Sequence, residues 1–242
     1  MTKQIFPLAL GGLAIGTTEF IIMGLLPDVA KDLGVSIPIA GHLISAYAFG
    51  VVVGAPILVA LSSKFPPKNI LIVYMILFTL FNALSIVAPD YNTLLMSRFL
   101  AGLPHGAFFG VGTIVAIKLS KKGKEAQAVS SMFTGLTLAI LLLVPFLTYI
   151  GHNTSYKWAF LIVSLLGIFT ILALIKFMPK LKSLKTVTFK EEIEFFLTFK
   201  AWHIILIVAI GFGGLFAWFS YIAPLLINVS KFHPSSISYL ML

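Results

Sequence analysis

Glu19 interrupts an apolar run that begins near Ile5 and ends near Leu26, and no other charge falls inside that run. Arg98, the only arginine in the chain, interrupts a second such run. His105 follows it by seven residues, two helical turns, which puts both on one helix face. A carboxyl, a guanidinium and an imidazole are side chains that accept, release and steer protons. A charge in hydrocarbon costs about 2.5–3.5 kcal/mol on insertion scales, so such a group usually faces a cavity or a partner. Burial and a guanidinium neighbour act in opposite senses on a carboxyl's ionisation. That competition makes a group able to exchange a proton as a cavity opens and closes. The same residues also suit a static pair that fixes helix packing.

Depth supports a pairing. At 1.5 Å per residue, Glu19 lies about 10 Å and Arg98 about 8 Å from the outer ends of their runs. The two are expected to pair if those helices are neighbours. His105 lies about 18 Å in, near the midplane. The remaining chemistry is sparse. There are no cysteines, the five histidines are scattered, and no nucleophile constellation, metal-ligand spacing or phosphate-cradling loop occurs. The expectation is therefore no metal, no cofactor and no enzyme.

The elements that must hold these residues are membrane helices. Hydrophobic residues make up 59% of the 242 and charged residues 10%, whereas a soluble domain is about half apolar and about a quarter charged. The mean hydropathy of +1.05 points the same way. Seven runs are long enough to span, at roughly 5–26, 40–61, 70–88, 93–117, 126–150, 157–178 and 201–227. The net charge of +9 falls in short lysine clusters between runs, without the aromatic-interleaved basic region expected for nucleic acid. Counted by side, 13 lysines lie with the N-terminus and three (Lys31, Lys157 and Lys231) lie opposite. The bias predicts a cytoplasmic N-terminus.

The division expected is a six-helix bundle over 1–178, a cytoplasmic linker over 179–200, and a seventh span with the start of an eighth over 201–242. Thr188 and Glu191 fit a capping box, followed by an amphipathic surface helix through Phe196 and Leu197. "PSSISYLML" reads as the opening turns of the eighth span, within which the chain stops. Gly102, Gly106 and Gly110, with Gly50 and Gly54, form small-residue stripes that allow close helix approach. Phe216, Trp218 and Tyr221 of the seventh span are candidates to line a pocket for a sugar-like or ring-shaped ligand. Tyr47 and Phe108 join them as candidate solute contacts.

"TTEFIIMGLLPDVA", "AGHLISAYAFGVVVGAPI", "RFLAGLPHGAFFGVG" and "FAWFSYIAP" together resemble the arabinose efflux permease branch of the major facilitator superfamily, from about Phe6 onward. The resemblance implies twelve helices in two six-helix halves around a central cavity lined by the first, fourth and seventh helices. It implies proton-driven export of a sugar or drug-like solute from a plasma membrane, by antiport. Glu19 and Arg98 match the family's acid and arginine, with His105 beside them, as the proton-coupling set. Lys64 and Lys68 keep the charge of the gate loop after the second helix, where Val59, Ser63, Pro66 and Pro67 depart from the family pattern. Gly135 and Pro145 keep the fifth-helix motif, but Leu143 and Leu147 stand where glycine is common and are expected to obstruct close packing. The alternative expectation is a truncated, non-transporting fragment or partial gene product that needs a missing C-terminal half.

Overall fold

In the computed structural model, which describes residues 3–62, 64–182, 194 and 197–241, seven helices are long and apolar enough to cross a membrane. They are α1 (Phe6–Asp32), α2 (Ile37–Ser62), α3 (Pro67–Val87), α4 (Tyr91–Leu119), α5 (Glu125–Asn153), α6 (Tyr156–Phe177) and α7 (Phe199–Ser220). No strand occurs among the described residues. Helices suit lipid because every interior backbone group bonds within its own segment. Hydroxyls on these helices follow suit. Thr17, Thr79, Ser164 and Thr170 each donate to the carbonyl four residues back, at 2.7–2.9 Å.

From α2 to α7 the helices begin ahead of their apolar runs, and polar residues cap several of these starts. Asp90 caps α4 by accepting the Thr93 N–H at 2.9 Å, Ser155 caps α6, and Thr198 caps α7. Lys68 donates to the carbonyls of Ile175 and Met178 at 2.8 and 2.6 Å, serving the C-terminal end of α6, where carbonyls lack intrahelical partners. Of the two lysines expected in the gate loop, Lys68 thus meets the end of α6, while Lys64 is exposed.

Two elements differ in shape from their apolar runs. A π turn over Ala139–Leu143 interrupts α5 just before Pro145. The seventh run, read as continuous to 227, breaks at Tyr221 before a short helix at Ile222–Pro224 and a second π turn at Leu225–Val229. Pro224 has no N–H with which to continue the helical ladder. A 3-10 turn at Pro234–Ser236 then leads into a helix at Ile237–Leu240, where the start of the eighth span was expected. The capping box and most of the amphipathic helix read in the linker lie outside the described residues.

α1 is the hub. Its apolar window is 83% buried, against 6% for α7, and it touches α2, α5 and α6 extensively. α2 and α4 make the broadest contact of all. They meet backbone to backbone: a Cβ placed on Gly50 would lie 2.1 Å from the Phe99 carbonyl oxygen, and one on Gly102 would lie 2.2 Å from that of Tyr47. α1 and α5 approach equally closely at Gly135, where a Cβ would fall 1.8 Å from the Ala9 oxygen. Leu147 does not obstruct this contact. It is fully buried among Ile21, Ile22 and Leu25, farther along the same helix pair.

The core falls into two main apolar clusters stacked along the helix axes. One contains Leu8, Ile15, Phe78, Phe108, Met132 and Val163. The other contains Ile21, Leu25, Leu43, Leu94, Leu147 and Phe160. On α1, α3 and α4 polar residues fall between the two clusters, and with Tyr47 of α2 they meet in one layer.

Candidate functional site

The layer is built from Thr18 and Glu19 on α1, Tyr47 on α2, Asn82 on α3, and Arg98 and His105 on α4. The apolar run of α1 ends at Leu26, but the helix continues to Asp32, so Glu19 sits thirteen residues from either end. It is therefore about 20 Å deep rather than about 10 Å. His105 occupies the midpoint of α4 in the same way, fourteen residues from either end. Arg98 lies seven residues from the N-terminal end of α4.

Arg98 is fully buried. Its Nη1 donates to the Thr18 hydroxyl at 2.9 Å. That hydroxyl donates in turn to the Asn82 side-chain oxygen at 2.5 Å, and the Asn82 amide donates to the Phe78 carbonyl at 2.8 Å. The guanidinium carbon stands 4.3 Å from the centre of the Tyr47 ring and 5.8 Å from that of Phe160. Both fit cation–π contact. Arg98 Nε and Nη2 have no hydrogen-bond partner among the described residues. The Tyr47 hydroxyl lies 3.0 Å from His105 Nδ1, so one aromatic side chain joins the cation to the imidazole.

Glu19 does not form the direct ion pair with Arg98 that depth suggested. Consecutive helix residues point about 100° apart, and α1 turns Thr18, not Glu19, toward the guanidinium. Glu19 remains within electrostatic reach of Arg98 and Tyr47, with a partly exposed side chain. The arrangement is a buried cation held by neutral groups, with a carboxyl beside it and free of direct hydrogen bonds among the described residues. Chemically, the carboxyl has room to change partner, whereas the arginine is fixed by three helices.

The five expected solute contacts separate. Tyr47 is buried and engaged as above. Phe108 is fully enclosed in the first apolar cluster, where its ring fills the space left by the missing side chain of Gly11. Phe108 thus packs in the core of the bundle. Phe216 stacks near Phe20 on α1, 5.7 Å between ring centres. Trp218 and Tyr221 are exposed at 53% and 41%, and the Tyr221 hydroxyl sits over Gly41 on α2.

Two sets of residues escaped the reading of charges. Thr18 and Asn82 carry the hydrogen-bonded chain to Arg98. Asn82 is the lone side-chain amide in the third apolar run between Asn69 and the run's end, and a buried amide in lipid is itself a signal. Asp28 and His152 meet at 2.9 Å across the C-terminal ends of α1 and α5.

Known proteins resemble this chain in sequence and in fold. A family model described as "Major Facilitator Superfamily" matches residues 8–242. The AraJ protein of Escherichia coli (strain K12) is 38% identical over 242 residues, which is 100% of this chain and 61% of AraJ. A "Probable sugar efflux transporter" of Helicobacter pylori (strain ATCC 700392 / 26695) is 31% identical over 241 residues, 99% of this chain and 61% of that protein. The chain thus spans about three fifths of these relatives. Among solved structures, a bacterial homologue of the human lysosomal transporter Spinster, inward-facing and occupied, superposes with a TM-score of 0.76 at 14% identity. It covers 97% of this chain and 56% of that one, a likeness of fold.

Proposed function

This chain belongs to the major facilitator superfamily, a family of multi-pass membrane transporters, and on that premise we propose that it serves proton-coupled efflux of a sugar or small drug-like solute across the inner membrane, with its N-terminus in the cytoplasm. The sugar assignment draws on the name of the Helicobacter relative. Orientation draws on the lysine bias.

The observation that carries the coupling is the buried Arg98, held by Thr18 and Tyr47 yet unpaired with the carboxyl beside it. Glu19 is the proton carrier. Ionised, it is drawn to Arg98; protonated, it is neutral and leaves the guanidinium to its neutral neighbours. Each protonation state thus favours a different arrangement of α1 against the cavity, which is what coupling requires. His105, bonded to Tyr47, sets the ring that faces Arg98. Tyr47, Phe216, Trp218 and Tyr221 are the solute contacts of this reading.

Proteoliposomes containing a transport-competent protein that carries this chain provide the test. Glu19→Gln should abolish pH-driven efflux while solute exchange at equal pH persists. Efflux that still follows the proton gradient in that variant would assign Glu19 to packing alone.

A further inference from the structure

At the end of the bundle where α1 begins, a cavity of about 280 Å³ opens between Ile5, the α4–α5 turn and the first turns of α5. Ser120, Lys121, Lys124, Gln127 and Ser131 line its polar side. Neither lysine side chain has a hydrogen-bond or ion-pair partner among the described residues, whereas the hydroxyls of Ser120 and Ser131 are satisfied by the carbonyls of Ile117 and Gln127. Lys118 and Lys122 add charge in the same seven-residue stretch, and Lys3 precedes Ile5. The acid next to Lys124 in sequence is Glu125, whose carboxylate accepts the Gly123 N–H at 3.1 Å. The local balance is strongly positive.

Position decides what such a cavity takes. α4 ends at Leu119 and α5 begins at Glu125, so the lysines stand where the spans leave the hydrocarbon. Ile5 and Ala128 give the cavity an apolar wall beside those ammonium groups. Lysines clustered at the end of a membrane helix attract anionic headgroups, and basic pockets between spans hold them. An ammonium is a point charge suited to a phosphate.

We propose that this cavity binds the phosphodiester headgroup of an anionic phospholipid, with Lys121 and Lys124 on the phosphate oxygens and the glycerol end along Ile5. A free phosphate would engage the lysines but leave the apolar wall unused. The site is remote from the Glu19–Arg98 layer and stands whether or not proton coupling holds.

The test is native mass spectrometry of the 242-residue chain, released from detergent after equilibration with equal amounts of phosphatidylglycerol and phosphatidylcholine. Three variants join it: Lys121→Gln with Lys124→Gln, Lys121→Arg with Lys124→Arg, and Ser131→Leu, which fills the cavity without changing charge. Phosphatidylglycerol should be retained over phosphatidylcholine by the parent chain and the arginine variant. Retention should fall about tenfold in the glutamine and Ser131→Leu variants. Millimolar inorganic phosphate should not displace the lipid. Unchanged retention in the glutamine variant overturns the site. Loss in that variant with none in Ser131→Leu overturns the cavity in favour of diffuse surface charge, and displacement by inorganic phosphate overturns the lipid as its occupant.

Discussion

Thr18 has two duties in one hydroxyl: it accepts from Arg98 and donates to Asn82. With Nε and Nη2 already unpartnered, Thr18→Val would leave the guanidinium with no side-chain hydrogen bond at all. Stranding a buried polar group costs about 1–3 kcal/mol, and more when it is charged. Thr18→Val should therefore lower the thermal unfolding midpoint in detergent, and Thr18→Ser should restore most of it. An unchanged midpoint for Thr18→Val would show that water or Glu19 takes over the contact. The conspicuous charges, Glu19 and Arg98, were legible as sequence because nothing else in their runs resembles them. Their partners were not. Which neighbour a side chain meets depends on helix rotation, and one residue's difference in position, about 100°, decided for Thr18 over Glu19.

At the scale of the element, the existence of each helix was legible from run length, since lipid removes the need to find a periodic face. Ends and breaks were less so. α1 runs six residues past Leu26, and the π turns in and after Ala139 and Leu225 leave no mark in hydropathy. The glycine stripe of α4 was legible as a pattern but not as a gradient. A Cβ on Gly102 would press into the α2 backbone, while one on Gly110 would find only Val59, at 3.9 Å. Gly102→Ala should thus destabilise the fold by about 1–3 kcal/mol, the usual cost of overpacking. Gly110→Ala should be neutral or stabilising, because alanine is the better helix former by up to about 1 kcal/mol. Thermal midpoints of the two variants, measured in one detergent, check the contrast; equal losses would mean that α2 and α4 adjust freely.

Across the whole molecule, alternating helix ends place Lys3, the α2–α3 turn, the α4–α5 turn and the end of α6 on one side, and Asp28, His152 and Asn153 on the other. If the lysine-rich side is cytoplasmic, a cysteine at Asn153 should react with an impermeant maleimide added to intact cells. One at Lys122 should react only after the membrane is opened. The opposite pattern would invert the topology.

Arg98 reaches back 80 residues along the chain to find Thr18. At a synthesis rate of about 5–20 residues per second, that is a wait of about 4–16 s. During it, α1 has left the ribosome with a carboxyl at its centre, and the cation that shares its layer has not yet been made. α1 is also the helix that the finished bundle buries most deeply. Its early residence is therefore expected at the insertion machinery rather than in open lipid, with release timed by the arrival of α4. The order of translation thus becomes part of how the polar layer is assembled.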